Sequence, residues 1–177
     1  MKKKLLTLGM IGAMALSLVA CGGSSDTKVI EGNTSSTATN SETGAAGFGF
    51  SYNGVEISVD ADVAPVLEKL GEPKEEFTSP SCAGQGDGHL YTYDDIQIQT
   101  YPEGDKDLIL YVALRTDNVA TKEGIDLSSS KEDILAAYGD PTEETYSSLK
   151  FRHGDVILVF IFDGDSLISI EYDSLKN

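Results

Sequence analysis

Two stretches of this chain are written on one plan. Leu67 and Leu135, Gly71 and Gly139, Pro73 and Pro141, Glu75 and Glu143, and Glu76 and Glu144 all lie 68 positions apart. Before each glycine, apolar residues recur at helical spacing: Val63, Val66, Leu67 and Leu70 in the first stretch, Ile134, Leu135 and Tyr138 in the second. That spacing puts them on one helix face, while Gly71 and Gly139 supply C-terminal caps and Pro73 and Pro141 forbid continuation. Asp60 or Asp62 is the expected N-cap of the first helix, with Pro65 tolerable only in the first turn, and Ser130-Lys131-Glu132-Asp133 reads as a capping box for the second. The first helix is expected to be short, about ten residues.

Downstream of each helix the period changes to two. His89 to Tyr93, a turn at Asp94-Asp95, Ile96 to Tyr101 and Asp107 to Arg115 come after the first. Leu149 to His153, a turn at Gly154-Asp155, Val156 to Phe162, the turn Asp163-Gly164-Asp165 and Leu167 to Tyr172 come after the second. Each unit is therefore expected to be a helix plus a three-stranded antiparallel meander, with Glu75-Glu76 and Glu143-Glu144 as solvated connectors. A helix this short can bury its stripe only against its own sheet, which predicts an α+β layer architecture. Upstream, Phe48, Phe50 and Tyr52 alternate into Asn53-Gly54, and Val55, Ile57 and Val59 alternate out, so the domain opens with a β-hairpin.

Two tandem units of short helix, Gly-x-Pro stop and meander resemble the β-lactamase-inhibitor-protein-like fold. Each unit is similar to the small lipoprotein of the outer-membrane β-barrel assembly machinery. The resemblance covers about residues 55–172 and rests on Leu70-Gly71-Glu72-Pro73 and Tyr138-Gly139-Asp140-Pro141, supported by Gly124-Ile125-Asp126-Leu127. The chain also resembles uncharacterised lipoproteins of Gram-positive bacteria with this layout, including Ser81-Cys82-Ala83. The resemblance implies a binding role for an open sheet face. The inhibitor family stabilises its units with disulfides, whereas Cys82 here lacks a partner.

The N-terminus carries an address. Lys2 to Lys4, an apolar run from Leu5 to Ala20, and Leu18-Val19-Ala20-Cys21 form a secretory signal ending in a lipobox. The run is shorter than the roughly 20 residues a spanning helix needs. Similarity to the bacterial lipoprotein consensus implies cleavage after Ala20 and diacylation of Cys21, anchoring the protein to the outer face of the cell membrane, with a Gram-positive surface favoured. Residues 1–20 are then a signal peptide, 21–47 the lipidated cysteine and tether, 48–122 the opening hairpin and first repeat, and 123–177 the second repeat. The tether, rich in Gly, Ser and Thr, spans roughly 25–30 Å as a flexible coil.

Charge narrows the partners. The chain holds 13 Lys+Arg and 29 Asp+Glu, net −16, and residues 51–177 alone hold 9 basic and 26 acidic residues. A phosphate backbone would be repelled, so no nucleic-acid partner is expected. A basic or apolar-faced protein or peptide is the complementary choice.

Chemistry-bearing residues are sparse. Cys82 sits in Ser79-Pro-Ser-Cys-Ala-Gly-Gln-Gly-Asp-Gly88, which lacks both a CxxC and a phosphate-loop ending, so a small packed cysteine is expected. His89 and His153 have no second ligand at i+2 or i+4, and structural roles are expected. Asp94-Asp95 and Asp163-Gly164-Asp165 combine oxygen donors suited to calcium with hairpin-turn positions, and turn chemistry accounts for them. No metal, no cofactor and no catalytic set is predicted, so the expected function is a non-catalytic binding module, with an envelope structural or assembly factor as the alternative and an enzyme less favoured.

One surface stands out. With a two-residue turn at Asp94-Asp95, Gln97, Gln99 and Tyr101 share one side of their strand. In the second half Ile157, Val159 and Ile161 make the side facing away from the helix apolar as well. Either that strand packs on both sides, against the other half or the opening hairpin, or it presents an apolar face to a protein partner.

Overall fold

The structure is a computed structural model and describes residues 48–177; the readings placed on 1–47, including Cys21, lie outside the described residues. The opening hairpin pairs β1 (Phe50–Tyr52) with β2 (Val55–Ile57), Tyr52 opposite Val55. Asn53 and Gly54 both hold left-handed conformations, φ 51° and 79°, as a two-residue turn matched to strand twist requires. The first helix, α1 (Ala64–Leu70), is seven residues long, and the second, α2 (Lys131–Tyr138), has eight. The capping box of α2 closes both ways: Ser130 Oγ accepts from the Asp133 amide at 3.2 Å and Asp133 Oδ2 accepts from the Ser130 amide at 3.0 Å. For α1 the cap position is Val63 rather than an aspartate, and Asp62 instead accepts the Ala64 amide at 3.0 Å.

Each half contains four strands, not three. β3 (Glu75–Pro80), β4 (Asp87–Thr92), β5 (Ile96–Glu103) and β6 (Lys106–Leu114) come after α1, and β7 (Glu143–Glu144), β8 (Ser148–His153), β9 (Val156–Asp163) and β10 (Ser166–Ser174) after α2. The two glutamate pairs expected to be connectors are strand residues, with Glu75 opposite Thr92 and Glu143 opposite Lys150. Both lie on the outermost strands, where neither side is buried and no apolar alternation betrays a strand; charge there also discourages edge-to-edge pairing. The meanders meet through β6 and β10, giving one eight-stranded antiparallel sheet in the order β3-β4-β5-β6-β10-β9-β8-β7.

One face of the sheet is the core. Val66 of α1, Ile134 of α2 and Phe50, Tyr52, Val55 and Ile57 of the hairpin join one buried cluster with Ile98, Val112, Leu158, Phe160, Ile170 and Tyr172. The helices and the hairpin therefore cover the same face. Bulges leave Leu110 of β6 and Ile168 of β10 without cross-strand partners. Where β10 stops pairing with β6 at Asp173–Tyr111, residues 60–63 take its place: Asp60 and Val63 donate to the carbonyls of Ile109 and Asp107 at 2.7 and 2.9 Å. Asp60, at φ 60°, then accepts from Tyr101 Oη at 2.7 Å and Ser174 Oγ at 2.8 Å, tying the hairpin exit to both halves.

One turn aspartate ties distant segments of the fold together. Asp95 accepts from Thr116 Oγ1 at 2.6 Å, Asn118 Nδ2 at 3.0 Å and Tyr52 Oη at 3.1 Å. Those donors, Thr116 foremost, hold its carboxyl below the usual carboxylate range. Its oxygens are thus committed to joining the β4–β5 turn to the hairpin and to the chain leaving β6. Asp94 pairs with Lys74. Asp163 is opposite Ser166 across a two-residue turn with Gly164 at φ 61°.

Candidate functional site

The face of the sheet opposite the helices is assembled from both halves. Strand register lines up Leu90, Gln99, Tyr111, Asp173, Ile157 and Arg152 in one cross-strand row. The adjacent row holds Thr92, Gln97, Ala113, Glu171, Val159 and Lys150. Ile161 stands one step further along β9, between Ser169 and Ser148. Gln97, Gln99, Ile157, Val159 and Ile161 thus come together on one surface, separated only by β6 and β10.

Their exposure differs. Gln97, Gln99, Ile157 and Ile161 are half-buried, and Val159 is only 6% exposed between Lys150 and Glu171. Tyr101 faces this side of β5 but is 1% exposed, so it is withdrawn from the candidate surface. It forms a small second core with Leu108, Leu110 and Ala83, under the loop that carries Cys82. Lys176 Nζ also lies 4.6 Å from its ring centroid and donates to its hydroxyl at 2.9 Å. Alternation alone could not show this, because the cover comes from a loop and from the C-terminus.

Sequence reasoning missed the centre of the face. Asp173 Oδ1 is buried and has no hydrogen-bond partner. Burial, reinforced by the neighbouring charge of Glu171, pushes the carboxyl up to about 6, and Asn177 and Lys150 offset this only in part. Tyr111 beside it is also raised, first by burial and then by Glu171 and Asp173. Arg115 offsets part of the Tyr111 shift, and two other cations of this face are engaged elsewhere. Lys150 Nζ is 3.2 Å from Glu143, and Arg152 Nε donates to the Gly154 carbonyl at 3.2 Å. Among the described residues no ion pair reaches Glu171 or Asp173. The sequence signal for Asp173 is faint: an aspartate between Tyr172 and Ser174 is ordinary until its strand neighbours are known.

A second polar group lies on the helix side of β4. His89 Nδ1 is 3.1 Å from Glu76 Oε1 and 3.2 Å from Thr78 Oγ1, while Nε2 is 3.5 Å from Asp107 Oδ2. The ring stacks on Tyr91 with centroids 5.8 Å apart. Two carboxylates on opposite ring nitrogens bridge β3, β4 and β6 and do not converge on one point, as metal ligation would require. Thr78 would need an unshared base to act as a nucleophile, and Glu76 occupies the same nitrogen. His153 packs edge-on against Phe48 at 5.6 Å, apart from this group. Cys82 is exposed, not packed as expected, because its loop lies over the sheet with Ala83, not Cys82, turned inward.

A cavity of about 610 Å³ opens between the start of α2 and the sheet, lined by Lys131, Glu144, Tyr146, Phe162 and Asp165. Lys131 and Glu144 pair across it at 2.6 Å. Among the described residues no group of three or more His, Cys, Asp or Glu side chains is arranged to hold a metal ion. Among the described residues, the uncovered sheet face brings apolar and charged side chains from both halves onto one surface. No family model, no curated protein and no solved structure matches the chain.

Proposed function

We propose that this protein is a membrane-tethered, non-catalytic binding module that presents the uncovered face of its sheet to a protein partner outside the cell membrane. The observation that carries this reading is the partial exposure of Ile157 and Ile161 on a face that neither helix covers. Apolar side chains held on a rigid sheet lose little entropy on binding, which suits them to be interface anchors. The lipobox at Leu18–Cys21 supports tethering, since two or three acyl chains anchor stably where one does not. The resemblance to the β-lactamase-inhibitor-protein-like fold points the same way.

Two experiments test the two parts. Cys21→Ser in the encoding bacterium is expected to leave the precursor uncleaved and to abolish incorporation of labelled palmitate; normal maturation would refute the anchor. For the face, full-length protein solubilised in detergent is used to capture partners from envelope extract. Ile161→Asn should lose any specifically captured protein while melting within a few degrees of wild type, because a half-exposed strand position tolerates a polar residue. Retention of the same partners by that variant would sink the sheet-face reading. An envelope assembly factor would instead co-purify as part of one stoichiometric complex.

A further inference from the structure

The centre of the uncovered face is electrostatically incomplete. Glu171 and Asp173 stand two residues apart on β10, on the same side of the sheet, between Ala113 and Tyr111 of β6 and Val159 and Ile157 of β9. Ser169 Oγ donates to Glu171 at 2.8 Å, but no cation of the described residues pairs with either carboxylate, and Asp173 Oδ1 is buried without a partner. Lys150 and Arg152 are turned to Glu143 and Gly154, and Arg115, whose charge acts on Tyr111, forms no ion pair with either carboxylate. Asn177 donates to the Asp173 carboxyl, but no cation of the described residues contacts this partly buried charge, which costs stability, so its presence beside an apolar strip marks a surface shaped for something other than folding.

We propose that Asp173 and Glu171 receive the guanidinium or ammonium group of a basic side chain from a protein partner lying across this face. This rests on the reading that the uncovered face is the binding surface, and it adds the chemistry of the occupant. The side chain's methylene stem would lie along Ile157, and Tyr111 would offer its ring to the charge. The occupant is a polypeptide because the partly exposed Ile157 and Ile161 lie on the same face, and a small cation would leave them uncovered. Nucleic acid is disfavoured by the acidity of residues 51–177. The expected partner motif is an arginine or lysine flanked by apolar residues.

The test uses a random-peptide library displayed on phage, selected against immobilised full-length protein in detergent. Recovered peptides should carry Arg or Lys beside apolar residues. They should bind Asp173→Asn at least ~10-fold more weakly, and replacing their arginine by citrulline, which keeps the shape and removes the charge, should weaken binding to wild type equally. A thermal melt of Asp173→Asn at or above that of wild type shows that the loss is not unfolding. If the peptides lack basic residues and bind Asp173→Asn and wild type alike, while Ile161→Asn abolishes binding, the face stands and the cation proposal is overturned. If binding also survives Ile161→Asn, or no peptide is recovered, both readings fall.

Discussion

Asp173→Asn is expected to stabilise the protein at neutral pH by about 1–3 kcal/mol, a large effect against the roughly 5–15 kcal/mol by which a typical domain is stable. The carboxyl titrates at about 6 in the folded protein and near 3.9 in an unfolded chain. Between those values the folded state holds the extra proton, so stability falls as pH rises through that window. The penalty is absent below about pH 4 and fully present above about pH 6. Removing the charge removes the penalty, and the gain should vanish at low pH. Urea midpoints of wild type and variant at pH 7.5 and pH 4 measure this directly. A variant less stable than wild type at pH 7.5 would show that the carboxylate is satisfied in the native state, and with that the electrostatic incompleteness of the face would disappear. A substitution that strengthens the fold and weakens binding is the signature of a residue kept for recognition.

Ile170→Ala should be the most damaging conservative truncation, lowering stability by about 2–5 kcal/mol. Ile170 is fully buried in β10, opposite Leu114 of β6 on one side and Phe160 of β9 on the other, and both neighbours are equally inaccessible. It sits at the seam where the two meanders become one sheet, so the cavity it leaves cannot be filled without moving both halves. The two halves should therefore melt together. Far-UV ellipticity and tyrosine fluorescence are expected to give coincident transitions in wild type and variant, shifted to lower temperature in the latter. Two separated transitions, or a loss under about 1 kcal/mol, would show that each helix-plus-meander unit is stable by itself.

The stabilising features lie where local signals are strong. The hairpin turn at Asn53-Gly54, the Ser130–Asp133 capping box and the glycine stops at Gly71 and Gly139 were legible because each rests on a backbone requirement that few residues meet. The exposed edge strands β3 and β7 were not, since a strand with both sides in water has no apolar period to read. Tyr101 shows the complementary failure: alternation placed it correctly on its side of β5, yet a loop and Lys176 cover it.

The amino-acid sequence alone determined the α+β class, the doubling of a helix-plus-meander plan and the side on which residues of the inner strands lie, because helix punctuation and the period of two are properties of neighbouring residues. Tertiary structure decided that the two units share one sheet, that both helices and the hairpin cover the same face, and that Tyr111, Asp173 and Ile157 meet in one row on the other. Tyr111 and Asp173 are neighbours only because β6 pairs with β10. That pairing closes a long loop, and it is selected by how much apolar surface the whole sheet buries beneath the helices, a sum over distant residues that no local pattern contains.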